Sequence, residues 1–261
     1  RQMCIRDSSC SVRSAAKLLS TLPSAHRHQH PAWLAQIEKL RHQSPAWQEY
    51  SAELDEINPV QLLQKLSGTI QEPCHFVTDV GQHQMWAAQS LHFKSNDRFL
   101  TSGGMGAMGF GLPAALGSAF SNEAALTVLI TGDGSFQLNI QELQTIKRNM
   151  LNLKIVLFNN RCHGMVRQFQ EAYFNGRLRS TVEGYSAPDF VAVSRAYGVP
   201  ARSLKCVGEL DRKLDWLVQA VGPALLEVPL SIRSRVYPKL AFGRRFGDME
   251  PESSPVAMES T

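Results

Sequence analysis

The stretch ALTVLITGDGS, residues 125–135, decides the fold. An unbroken apolar run over 125–131 ends in Gly132-Asp133-Gly134-Ser135. A strand without polar alternation belongs inside a parallel sheet whose two faces are both covered by helices. The next such run, KIVLF at 154–158, ends in Asn159-Asn160. Between Gly134 and Asn159 lie 24 residues, the length that one helix and one strand require. Asp133 and Asn160 are therefore expected at the same edge of the sheet.

Working outward, helical spacing predicts helices over 59–67, 109–120, 139–148, 188–197 and 209–220, and further strands over 74–78 and 224–228. The expected fold class is α/β, a parallel sheet with helices on both faces. Such sheets bind ligands at the carboxyl ends of their strands. Upstream, residues 12–20 have helical spacing, and Pro31 is expected to start a helix over WLAQIEKLRHQ that Ser44-Pro45 ends. The run His26-Arg27-His28-Gln29-His30 has no carboxylate or cysteine beside it and reads as a solvated linker. The expected organisation is an assembly artefact over 1–10, the remnant of a preceding domain and a linker helix over 11–55, the sheet domain over 56–232, and a C-terminal tail over 233–261, polar and mobile from 246.

Composition narrows the class. Of the 261 residues, 43% are hydrophobic and 19% charged, the balance of a globular protein rather than a disordered one. The net charge of +4 is scattered, which argues against nucleic acid. Apolar runs fall short of the roughly 18 residues of a membrane span, and no signal peptide is visible. Five widely spaced cysteines, with no C-x-x-C pair, argue against a disulfide framework or zinc site and fit the cytoplasm.

The residues at the sheet edge suit a charged ligand. Mg²⁺ takes hard oxygen ligands, few of them from protein and the rest from phosphates and water. Asp133 offers a charged oxygen and Asn160 a neutral carbonyl. Gly132 and Gly134 permit close backbone approach to a phosphate, and Ser135 with the helix start behind it offers donors. Gly-Asp-Gly alone reads as a turn and Asn-Asn alone as a loop; each after an apolar strand, at this separation, they read as a ligand site.

GDGS followed by NN at this distance resembles the signature of thiamine-diphosphate-dependent enzymes. The likeness extends to VTDVGQHQMWAAQ (77–89), RFLTSGGMGAMGFGLPAALGSAF (98–120) and VYPKLAFG (236–243), and covers about residues 55–245. These blocks are similar to those of acetolactate synthase large subunits and acetolactate-synthase-like proteins. Pyruvate oxidases, benzoylformate decarboxylases and sulfoacetaldehyde acetyltransferases share the cofactor motif but match the other blocks less well.

The resemblance implies thiamine diphosphate held through Mg²⁺, with Asp133, Asn160 and the backbone carbonyl of Cys162 as metal ligands. It implies that Gln82 and His83 contact the diphosphate, that Gly106 holds the aminopyrimidine, and that Met108 wedges beneath the cofactor and bends it. Met165 and Phe169 match positions lining the substrate channel; the second is commonly Trp in acetolactate synthases. Arg167, Arg177 and Arg179 read either as contacts for a substrate carboxylate or as a solvated loop. The implied reaction is decarboxylation of pyruvate and carboligation to a second 2-oxo acid, in branched-chain amino-acid biosynthesis. The implied partners are a second catalytic subunit, in a dimer or tetramer, and a regulatory subunit, with FAD in the full-length enzyme. The glutamate that activates the cofactor is implied to stand on a separate N-terminal domain that no segment here resembles, so the chain alone is expected to be inactive. The alternatives are another thiamine-diphosphate-dependent 2-oxo acid decarboxylase or lyase, and a non-catalytic cofactor-binding module.

Overall fold

A computed structural model describes residues 30–43, 57–245, 248–254 and 256. The chain divides into two compact units, one ending at Pro45 and one beginning at Ala46. In the first, helix α1 (Pro31–Gln43) starts at the expected proline. The helix expected over 12–20 and the histidines at 26 and 28 lie outside the described residues.

The second unit opens with α2 (Pro59–Thr69). Asn58 caps it, its Oδ1 accepting from the N–H groups of Val60 and Gln61 at 2.9 and 3.2 Å, and proline stands at the first position. There follow β1 (Cys74–Thr78), α3 (Gln82–Ser90), β2 (Arg98–Thr101), α4 (Gly111–Ser121), β3 (Leu126–Gly132), α5 (Asp133–Gln137), α6 (Leu143–Arg148), β4 (Leu153–Asn159), α7 (Gly164–Tyr173), α8 (Phe190–Ala196), β5 (Ala201–Ser203), α9 (Leu210–Gln219) and β6 (Ala224–Pro229). Six parallel strands form one sheet in the order β2-β1-β3-β4-β6-β5.

Alternate strand residues enter opposite cores. Phe76, Val128, Ile130, Val156, Phe158 and Leu226 pack with α2, α3 and α9. Val77, Leu129, Ile155, Leu157 and Leu225 pack with α4, α6 and α8. The expected α/β architecture is therefore present.

Four elements escape the apolar pattern, each for a physical reason. Helix α3 buries Gln82, His83 and Ser90 beside Trp86 and Ala87, and α7 buries Gly164, Arg167 and Gln168, so polar residues occupy their inward faces. Strand β2 is a four-residue edge and β5 has three residues, too short for a pattern. The helix expected over 139–148 is also divided: a 3₁₀ turn, Ile140–Glu142, precedes α6. Asn139, just before that turn, donates its Nδ2 to the Gly109 carbonyl at 2.7 Å. Part of the region expected to be a mobile tail is paired. Strand β8 (Met249–Glu250) runs antiparallel to β7 (Lys239–Leu240), with an ion pair between Lys239 and Glu250.

Asp79, at the carboxyl end of β1, orders the loop that leads into α4. Its carboxylate accepts from the N–H groups of Val80 (2.7 Å), Gly109 (2.9 Å) and Gly111 (2.7 Å) and is fully buried. Gly111 is required there, because a Cβ would stand 2.7 Å from Asp79. Replacing Asp79 by alanine leaves these donors without an acceptor. Asp79→Ala is expected to cost about 3 kcal/mol of stability, read as a lower urea midpoint with unchanged slope.

Candidate functional site

Strand β1 connects outward to β2, and the chain then crosses back to β3 on the other side of β1. The loops after β1 and β3 consequently leave the sheet in opposite directions and open a crevice at its carboxyl edge. Gln82 and His83 reach this crevice from the start of α3, Asp133 from the start of α5, and Asn160 from the end of β4. A cavity of about 60 Å³ lies between them. Met108, Gly132, Gly134, Ser135, Cys162 and Met165 also line it, whereas Gly106 and Phe169 do not.

Asp133 is buried, and its Oδ2 has no hydrogen-bond partner among the described residues. Burial pushes its carboxyl up to about 6, opposed by the Tyr185 hydroxyl and by the backbone N–H groups of Gly134 and Arg161. Tyr185 is close enough to act on that charge, yet the two side chains do not meet in hydrogen-bond geometry, since the Tyr185 hydroxyl is itself unpartnered. Burial also pushes the Tyr185 hydroxyl well above its usual range, with the Asp133 charge adding to the effect.

His83 is buried, and burial lowers its imidazole to about 3, so the ring is neutral at physiological pH. Its Nε2 is a second buried atom with no partner. Gly132 at the end of β3 and Gly134 in α5 make room for two rings. A Cβ on Gly132 would stand 2.9 Å from His83 Nδ1, and one on Gly134 would stand 2.9 Å from His163.

Asn160 is held from outside the motif. Its Nδ2 donates to Gln82 Oε1 at 2.9 Å, and Gln82 Nε2 donates to the Ser234 carbonyl at 2.8 Å and to Gln168 Oε1 at 3.2 Å. Asn160 Oδ1 receives only a long contact, 3.4 Å, from the Cys162 N–H. The Cys162 carbonyl accepts from Gly164 N–H at 2.9 Å. Its thiol is buried and pushed up to about 11, chiefly by that burial, and so is no nucleophile at neutral pH. The Ser135 hydroxyl donates to the Val80 carbonyl at 3.0 Å, which leaves its lone pairs rather than its proton for a ligand.

Around the cavity, Met108 is partly exposed, and Met105 on the same loop almost fully so. Gly106, at φ +62, is exposed and donates to the Ser102 carbonyl at 3.0 Å. Phe169 stacks on Tyr173 with ring centroids 4.4 Å apart. The reading of Arg167 as part of a solvated loop is corrected, because it lies on the inward face of α7. It is buried, paired with Glu171 at 2.6 Å, and donates to the Ser234 carbonyl at 2.6 Å. Arg177 and Arg179 are exposed. The sequence reading missed His163, Tyr185 and Gln168. The one available signal was the requirement that something fill the space that two glycines vacate.

Residues 79–228 match the model of the thiamine pyrophosphate enzyme family, C-terminal TPP binding domain. The chain belongs to this family. It is 36% identical over 223 residues to the acetolactate synthase large subunit of Cyanidium caldarium, covering 85% of this chain and 37% of the relative. To the acetolactate synthase isozyme 2 large subunit of Escherichia coli K12 it is 40% identical over 195 residues, 75% of this chain and 35% of the relative. To acetolactate synthase 2, chloroplastic, of Zea mays it is 37% identical, over 75% of this chain and 32% of the relative. The chain thus spans about a third of the length of these curated relatives. Among the described residues, no helix is long and apolar enough to cross a membrane.

The raised Asp133 value carries a sign. Between about pH 4 and 6 the native carboxyl holds a proton that the unfolded chain releases, so stability falls as pH rises through that window and the loss persists above it. Asp133→Asn is therefore expected to stabilise the ligand-free chain at pH 7, by at most about 3 kcal/mol. The gain should vanish below pH 4, and urea unfolding at pH 3.5, 5 and 7 checks it.

Proposed function

We propose that this chain holds the diphosphate end of thiamine diphosphate through a Mg²⁺ ion, as the cofactor-binding part of an acetolactate-synthase-like enzyme. The observation that carries the reading is the pair of buried, unpartnered polar atoms, Asp133 Oδ2 and His83 Nε2, in one small cavity with Asn160. Buried polar atoms are nearly always satisfied, so an orphan pair needs a ligand to explain it. The donor set fits the cofactor: a carboxylate and two carbonyls suit a hard cation, and the neutral ring of His83 can donate one N–H to a phosphate oxygen.

The assignment of roles follows. Asp133 supplies the charged oxygen for Mg²⁺. Asn160 supplies its Oδ1, which Gln82 orients by accepting from the other end of the same amide. Cys162 contributes only its backbone carbonyl. A cavity of about 60 Å³ takes the anionic end of such a molecule and not its whole length, since drug-sized ligands need roughly 300 Å³ or more. Met108 and Met165, which line the same cavity, would give the remainder an apolar surface to pack against. Gly106, exposed beyond that surface, holds the aminopyrimidine through its carbonyl, and Phe169 borders the substrate channel. When bound, thiamine diphosphate would supply a carbon nucleophile and a cationic ring able to hold the electrons that a 2-oxo acid leaves when it loses carbon dioxide.

For the whole protein we propose pyruvate as the first substrate, a second 2-oxo acid as acceptor, and assembly with a second catalytic subunit that covers this apolar surface. No described residue is assigned to FAD or to a regulatory subunit. A second reading, a different thiamine-diphosphate-dependent 2-oxo acid lyase, is favoured by Phe169, where acetolactate synthases commonly carry the bulkier, N–H-bearing Trp.

Calorimetry of thiamine diphosphate binding, with Mg²⁺ and with chelator, tests the metal bridge. Binding is expected only with the cation; Asp133→Ala is expected to weaken it at least 100-fold, and Cys162→Ser by less than threefold. Equal binding in chelator would end the reading. Given saturating cofactor and Mg²⁺, the 261-residue chain by itself is expected to form acetolactate from pyruvate at under a tenth of a full-length relative's rate. Comparable turnover would mean that a carboxylate within this chain activates the cofactor.

A further inference from the structure

A second and larger cavity, about 830 Å³, opens on the other side of the loop that ends β4. Asn160 and Cys162 line the small pocket around Asp133, whereas Asn159 and Arg161 line this one. Its wall carries five cationic side chains, Arg161, Arg195, Arg202, Lys205 and Lys213, against two carboxylates, Asp189 and Glu227.

The two carboxylates are already engaged. Glu227 Oε1 accepts from Asn159 Nδ2 at 2.8 Å, and Asp189 Oδ1 accepts from the Ala192 N–H at 2.9 Å as the cap of α8. Two of the cations are engaged as well: Arg195 donates twice to the Ala201 carbonyl, and Lys213 donates to Ser203 and lies 3.8 Å from Glu209. Arg161 and Lys205 are held by backbone N–H bonds, to Asn159 Oδ1 and Glu209 Oε2, and among the described residues their charged ends form no ion pair. The Arg202 guanidinium lies over the Trp216 ring at 4.4 Å, and the residue is exposed.

Five cations against two carboxylates leave an excess of three positive charges around one concave wall, and a bridging anion lowers their mutual repulsion. Arginine forks bind phosphate with two parallel hydrogen bonds, and lysine binds it as a point charge. The volume lies in the range of organic ligand pockets and far exceeds one inorganic ion. Pro188 and Val191 provide an apolar strip for the uncharged part of such a ligand. We propose that this cavity is a binding site for a small organic molecule carrying at least two phosphate groups, separate from the cofactor pocket.

Tyr185 lines this cavity while its hydroxyl approaches Asp133, so the test must tell the two pockets apart. The full chain is titrated calorimetrically with ADP and with fructose 1,6-bisphosphate, in chelator and at low salt, and thiamine diphosphate binding is measured in parallel with Mg²⁺. At least one probe is expected to bind, with affinity falling at least fivefold when salt rises from 50 to 200 mM. Arg202→Glu/Lys205→Glu, and Lys205→Glu alone as the milder change at an exposed position, are expected to weaken the probe at least tenfold and threefold. Both should leave thiamine diphosphate affinity unaltered, while Asp133→Ala should do the reverse. Absence of binding by both probes overturns the proposal, as does probe binding that survives the double variant or is lost in Asp133→Ala. Because the probe titrations need no Mg²⁺, failure of the cofactor reading leaves this result independently readable.

Discussion

A β-carbon on Gly132 or Gly134 would stand 2.9 Å from an imidazole ring, and the whole carboxyl edge of the sheet depends on neither being there. With no side chain on Gly132 at the end of β3 or on Gly134 in α5, His83 and His163 pack directly against the backbone there. That packing brings α3 and the loop after β4 onto Asp133 from two sides and buries it. Burial then determines the chemistry: the ring of His83 is neutral and the carboxyl of Asp133 is raised. The two glycines therefore act on the ligand site through the rings they admit as well as through any close backbone approach.

Two buried aspartates at the same sheet edge illustrate how surroundings assign a role. Asp79 accepts from three backbone N–H groups and is satisfied; it shapes a loop. Asp133 has a buried oxygen with no partner among the described residues, which is unfavourable unless a cation or donor arrives. The residue type is the same, and only the supply of donors separates a structural group from a ligand-binding one.

The inward faces of α3 and α7 carry a polar network where cores are usually apolar. Gln82 joins Asn160 to the segment after β6, and Gln168 both donates to and accepts from the Val236 backbone. Arg167 closes the same segment through Ser234. Gln82 and Gln168 are each bonded at both ends of their amides, whereas the buried Arg167 Nε has no partner among the described residues. The network also places the orientation of Asn160 under the control of residues far from the motif in sequence.

The sheet, its parallel sense and the meeting of Asp133 with Asn160 were legible in the sequence. Apolar runs of strand length report burial on both faces, and 24 residues between Gly134 and Asn159 leave room for only one crossover. The helices with polar inner faces, α3 and α7, were not legible, because periodicity reports apolar burial alone. Nor was the partner of any buried polar atom. Gln82 lies 78 positions from Asn160 and 152 from Ser234, so no local pattern records their contact. For the same reason the sequence left Arg167 open between a substrate contact and a solvated loop, and the fold placed it in a buried ion pair. Local spacing determined which elements form and which end of the sheet they crowd. Long-range packing alone decided which polar groups there are satisfied and which are left for a ligand, because hydrogen-bond satisfaction depends on neighbours that only the folded chain brings together.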